Sequence, residues 1–115
     1  MTHPVIHFEI LGGEGDTLQR FYSDAFGWTI NADNPMNYGM VSAGEGGIGG
    51  GVAPAMDGSP IVTVYIQVDD LQKALDIVEA GGGKTVMPPT DVPGGPKLAQ
   101  FTDPAGNRVG LVAGM

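Results

Sequence analysis

Ile6-His7-Phe8-Glu9-Ile10 and Val62-Thr63-Val64-Tyr65-Ile66-Gln67-Val68 are the two stretches whose reading decides the fold. Each alternates as a half-buried strand does. Each is followed by a short polar loop and an amphipathic stretch, Leu18 to Phe26 stopping at Gly27 and Leu71 to Val78 stopping at Gly81. Leu18-Gln19-Arg20 in the first returns as Leu71-Gln72-Lys73 in the second. A unit that recurs in this way packs against its twin to bury the apolar face it cannot bury alone. The 115 residues therefore read as a single domain of two repeat units, about 4–53 and 60–113, with function expected on the surface enclosed between them.

Alternation puts Ile6, Phe8 and Ile10 on one strand face and His7 and Glu9 on the other. In the second unit Val62, Val64, Ile66 and Val68 share the helix-side face, and Thr63, Tyr65 and Gln67 share the opposite one. The first helix carries Leu18, Phe21, Tyr22, Ala25 and Phe26 as an apolar stripe, with Asp16 or Thr17 placed to cap it and Gly27 to end it. The second buries Leu71, Ala74, Leu75 and Val78 behind a cap from Asp69 or Asp70. Trp28 to Ile30, Tyr38 to Ser42, a short piece before Val52-Ala53, Lys84 to Met87, Leu98 to Thr102 and Val109 to Val112 read as strands. Ala53 to Pro60 reads as the linker. Pro88-Pro89 and Pro93-Gly94-Gly95-Pro96 frame a loop, and Asp103 to Asn107 forms a turn. Each unit is thus strand–helix–strand–strand–strand.

Composition narrows the function. Thirteen acidic against five basic residues give a formal charge of −8, which repels a phosphate backbone, so nucleic acid is not an expected partner. No run approaches the ~20 apolar residues that cross a bilayer, so no membrane partner is expected and a cytoplasmic setting is. Without cysteine there is no disulfide, no thiolate nucleophile and no zinc–sulfur site. Two short helices cannot cover all the strand surface of so short a chain, and a homodimer is expected.

The chain resembles the vicinal oxygen chelate superfamily of glyoxalases, bleomycin-resistance proteins and extradiol dioxygenases. The resemblance rests on His-Phe-Glu-Ile at 7–10, Phe-Tyr-Ser-Asp-Ala-Phe-Gly-Trp at 21–28, Val-Asp-Asp-Leu at 68–71, Gly-Gly-Lys at 82–84, Pro-Pro-Thr-Asp at 88–91 and Phe-Thr-Asp-Pro-Ala-Gly-Asn at 101–107. It implies an α+β fold of two βαβββ units with paired, curved mixed sheets around a ligand cup. It also implies metal ligands at four positions, of which only one matches. His7 stands at the first; Thr63, Gly110 and the glycines at 49–51 stand where His, Gln or Glu are expected. A site with one ligand in four does not hold a divalent ion, so no metal and no cofactor are expected.

His7 and Glu9 are the candidate acid/base pair, because a histidine beside a carboxylate can exchange a proton near neutral pH. Thr63, Tyr65, Gln67, Tyr38, Phe101 and Arg108 are candidate ligand-binding residues, with Trp28 and Phe101 also suited to plain core packing. Two functions remain open on these residues. One is binding of a small, partly apolar molecule without metal. The other is a glyoxalase-like lyase or isomerase that uses His7 and Glu9 as its acid/base pair, with or without assistance from a metal.

Overall fold

The computed structural model describes residues 2–113. Its elements run β1 (Val5–Gly12), α1 (Gly15–Phe26), β2 (Ile30–Asn31), β3 (Gly39–Val41), β4 (Gly49–Pro54), β5 (Ile61–Gln67), α2 (Leu71–Ala80), β6 (Lys84–Asp91), β7 (Lys97–Thr102) and β8 (Arg108–Ala113). The fold is α+β and consists of two βαβββ units, as the alternating runs and their glycine stops predict. By compactness the chain divides into residues 7–63 and a second body formed by the residues up to Ile6 with those from Val64 onward. That boundary cuts β1 and β5.

In the first half the strands lie in the order β2-β3-β4-β1. β1 runs parallel to β4, with His7 opposite Gly49 and Glu9 opposite Gly51. β4 is antiparallel to β3, with Gly51 opposite Met40. Helix α1 begins at Gly15, before either expected cap. Its cap position is Glu14, whose side chain makes no capping bond. Gly15 opens the helix because a Cβ there would stand 2.7 Å from the Pro54 ring. Asp16 accepts instead from Asn37 Nδ2 at 2.8 Å. The apolar stripe of α1 is only partly buried: Phe21 and Phe26 are 57% and 64% exposed. The inward face carries Leu18, Gln19, Tyr22 and Ser23, and Gln19 Nε2 donates to the Val52 carbonyl at 2.8 Å. Trp28 packs between Phe8 and Tyr22, with ring centroids 5.3 and 5.1 Å apart.

In the second half the order is β5-β8-β7-β6, with β5 parallel to β8 and the remaining pairs antiparallel. Asp70 caps α2 by accepting from the Lys73 amide at 3.0 Å. The core is Val68, Leu71, Leu75, Ala99, Phe101 and Leu111, with Ile66, Ala74 and Val78 packed against it. Val62 and Val64, expected on that helix side, are 73% and 36% exposed, so the buried part of the β5 stripe is its C-terminal end. β6 runs through Pro88 and Pro89 instead of ending at Met87. The prolines are tolerated because β6 is an edge strand and its pairing with β7 shifts register around them.

Candidate functional site

On β1 the residues that point away from α1 are His7 and Glu9, the odd positions of the alternation. Phe8 goes the other way, onto Trp28. The third member of the group arrives from outside the strand. Tyr38, just before β3, lays its phenol over Gly51 of β4. A Cβ on Gly51 would stand 2.0 Å from both Cζ and Oη of that ring, and its three nearest atoms all belong to Tyr38. The glycine is the seat of the tyrosine.

From this seat the Tyr38 hydroxyl joins the two candidate groups. It donates to Glu9 Oε2 at 3.0 Å, and it lies 2.8 Å from His7 Nε2. The His7 imidazole runs nearly parallel to the phenol, at an interplanar angle of 11°. Partial burial holds the His7 imidazole below its ordinary value, because desolvation penalises the charged ring.

The loop that delivers Tyr38 is tightly tied. Asn34 clasps Tyr38 at both ends, accepting from its amide at 2.9 Å and donating to its carbonyl at 2.7 Å. Asn37 adopts a φ of 52° and is the one non-glycine residue with positive φ among the described residues. Its carbonyl accepts from Gln19 Nε2 at 3.0 Å, and its side chain donates to Asp16.

The second half repeats the device with different partners. Tyr65 of β5 lies beside Gly110 of β8, its register partner. A Cβ on Gly110 would come within 2.3 Å of the Tyr65 ring. Gln100, opposite Gly110 across β7 and β8, donates from Nε2 to the Tyr65 hydroxyl at 3.2 Å. Arg108 Nε donates to Gln100 Oε1 at 2.9 Å, which fixes the orientation of the amide. Tyr65 is buried, Gln100 is half-buried and Arg108 is exposed.

Residues 5–111 match the sequence profile of the Glyoxalase/Bleomycin resistance protein/Dioxygenase superfamily. The chain belongs to that superfamily. It is 35% identical over 103 residues to CFP32 of Mycobacterium tuberculosis, whose name provisionally calls it a glyoxylase; the match covers 81% of this chain and 39% of the relative. It is 33% identical over 104 residues to DnrV of Streptomyces peucetius, named for anthracycline biosynthesis, with 75% and 38% covered. The chain thus spans about two-fifths of the length of the curated relatives it matches. Among solved structures, methylmalonyl-CoA epimerase of Mycobacterium tuberculosis superposes with a TM-score of 0.70 at 14% identity, covering 96% of this chain and 87% of that one. At that identity the likeness is one of fold.

Within this superfamily fold the donors present do not fit a divalent metal. The space beside Gly110, and beside Gly51 among the glycines at 49–51 where the resemblance implies a ligand side chain, is taken by the rings of Tyr65 and Tyr38. Among the described residues no three His, Cys, Asp or Glu side chains gather as a ligand set.

Of the residues singled out from sequence, His7, Glu9 and Tyr38 come together, and Tyr65 and Arg108 are joined through Gln100. Thr63 is buried and Gln67 is half-buried. Phe101 lies elsewhere, in the core against α2, because its neighbours across the strand pleat, Ala99 and Leu111, point there too. Gln100 was not singled out from sequence. Its parity was the available signal: it alternates with Ala99 and Phe101 and therefore shares the face of Gly110.

Proposed function

We propose that this chain binds a small, partly apolar molecule on the helix-free sheet faces, without a divalent metal. The observation that carries the reading is the pair of glycine-seated tyrosines, which fill the volume that ligand side chains would need. In the unit of residues 7–63, Tyr38 and the exposed Met40 supply apolar and aromatic surface, and His7 and Glu9 supply polar contacts that orient a ligand; in the other unit Tyr65 supplies the aromatic surface, and Gln100 and Arg108 the polar contacts. The experiment is metal analysis of the purified protein after dialysis, followed by a thermal-shift screen of planar aromatic and polyketide-like compounds. About one Ni, Zn, Mn or Fe per chain would overturn the metal-free reading. Failure of every compound to raise the melting temperature more in the native protein than in the His7→Ala variant would overturn the binding one.

A second reading, a lyase or isomerase, is favoured by the hydroxyl that joins His7 to Glu9, since such a bridge suits an acid/base pair. His7→Ala separates the two: it weakens a ligand in a binding protein and abolishes turnover in an enzyme. We further propose a homodimer in a cytoplasmic setting. Support for the dimer comes from the exposed strand residues Val5, Val62 and Val64, and light scattering at micromolar concentration that returns 11.8 kDa would refute it. Among the described residues no helix is long and apolar enough to cross a membrane.

A further inference from the structure

We propose that the hollow at the start of α1 is a second binding site, for small organic cations that carry an apolar body, of the arylammonium class. It is separate from the His7 face and goes beyond the reading above.

The hollow encloses about 410 Å³, within the roughly 300–1,000 Å³ of sites that take small molecules. All the residues that line it belong to the unit of residues 7–63. Its walls are chiefly apolar. Leu18, Phe21 and Tyr22 come from α1, and Gly12 and Gly13, at the end of β1 and just after it, contribute backbone alone. Neither glycine takes a positive φ, so no left-handed turn requires them. A Cβ on Gly13 would meet nothing closer than 3.4 Å, which is ordinary contact. Two successive residues without side chains leave the space beside the helix unfilled.

Two features select the occupant. The first is an aromatic corner. The Phe21 ring meets that of Tyr22 at 90°, with centroids 5.0 Å apart, and Tyr22 is itself stacked on Trp28. Phe21 is nevertheless 57% exposed. A ring held in this way gains from being covered by an apolar group, and its face attracts a cation. The second feature is Glu14, which is exposed, lines the same hollow and makes no capping bond to the helix with its side chain. The first-turn amides of α1 carry a partial charge of about +0.5, which would favour an anion. Glu14 and Asp16 place two carboxylates at that same end and outweigh it. A carboxylate and an aromatic corner in one hollow match a cation with an apolar body. A formal charge of −8 draws cations to the chain as well.

The test is an amide 1H–15N titration of the native protein at neutral pH and low salt. The probe is benzyltrimethylammonium; benzyl alcohol and phenylacetate serve as comparators that lack the positive charge or reverse it. The cation should give saturable shifts centred on the amides from Gly12 to Tyr22, and should bind at least about fivefold more tightly than either comparator. Phe21→Leu keeps apolar bulk and removes the ring face, so it should weaken the cation about 2–5-fold and change benzyl alcohol little. Glu14→Gln should weaken the cation by a similar factor, and added salt should do the same to the native protein. Both side chains are exposed, and circular dichroism checks that each variant is folded; if one is not, the other and the salt series decide. No saturable shift below about 10 mM would overturn the proposal. So would equal binding of the three probes, or a folded variant of either position that binds the cation as the native protein does. Shifts centred on His7, Glu9 and Tyr38 would also overturn it, whereas a failed compound screen on that face leaves this site standing.

Discussion

Gly51→Ala is the substitution that examines the tyrosine seat most directly. The added methyl would lie 2.0 Å from Tyr38 Cζ and Oη, well inside any observed contact, so the ring must leave. With it go the contacts to His7 and to Glu9. A neutral hydrogen bond contributes about 0.5–1.5 kcal/mol and one to a charged group about 1.5–3, so the expected loss is roughly 2–4 kcal/mol. Alanine offsets about 0.5–1 kcal/mol of this by restricting the unfolded chain, which leaves a net destabilisation of about 1–3.5 kcal/mol. The sign reverses once the ring is gone. In a Tyr38→Ala background the three nearest atoms have been removed, and Gly51→Ala should be neutral or slightly stabilising. Urea unfolding of the four proteins, with m-values compared to confirm a common unfolded state, gives the coupling as a double-mutant cycle. We expect about 2–4 kcal/mol. Costs that add within ~0.5 kcal/mol would show that the glycine and the tyrosine are independent, and the seat would have no energetic meaning.

Leu75→Ala, at 1% exposure in the second-half core, should cost about 2–5 kcal/mol by denaturant unfolding. Phe21→Ala, on the exposed side of α1, should cost less than about 1 kcal/mol; equal losses would mean that α1 buries its aromatic stripe after all. His7 is held below its ordinary value by burial, so between about pH 6.5 and the folded value the unfolded chain takes up a proton that the folded one refuses. Stability from this source is complete above about pH 6.5 and falls as pH drops through that window; His7→Gln should flatten the fall. Asp103 is shifted the same way by its bonds to Asn107, first through the side chain and then through the backbone, so its contribution is present above the unfolded value and lost as pH falls through the folded one. Asp103→Ala should remove part of the acid limb of the stability curve, and an unchanged limb would count against the turn's role.

The alternation at Ile6–Ile10 and Val62–Val68 was enough to assign faces, because a strand side chain has only two directions to choose between. It correctly separates Phe8 from His7 and Ile66 from Tyr65. Asp70 as a cap and Gly27 as a stop were legible for the same reason: the requirement is local, and Gly27 takes the φ of 70° that ends α1. What was not legible is set by approach between segments distant in sequence. Nothing in Gly15 itself says that Pro54 will press against it and pull the helix start forward. Nothing in the α1 stripe says that Gln19 will turn inward to serve two carbonyls while Phe21 and Phe26 stay outside. Tyr38 reads from sequence as a ligand-binding residue, and its bond to Glu9 depends on a loop whose one positive-φ non-glycine residue, Asn37, carries no periodic signal.

The two glycine-for-ligand positions look, in sequence, like simple losses. In the structure each is half of an exchange: the volume given up by a strand residue is occupied by a tyrosine ring from another segment or from the neighbouring strand. This makes the loss hard to reverse. Gly110→Glu alone would drive its first carbon to 2.3 Å from Tyr65, and would break the bond that Gln100 makes to that hydroxyl. A carboxylate could stand there only if Tyr65 were shortened as well, and the same holds for Gly51 and Tyr38. Each of these two positions would need a paired change, and Thr63 would need one as well, before the donor set that the resemblance implies could assemble. The halves have meanwhile given their tyrosines different company, His7 and Glu9 in one and Gln100 and Arg108 in the other. The two units thus share the packing device and differ in the hydrogen bonds made around it.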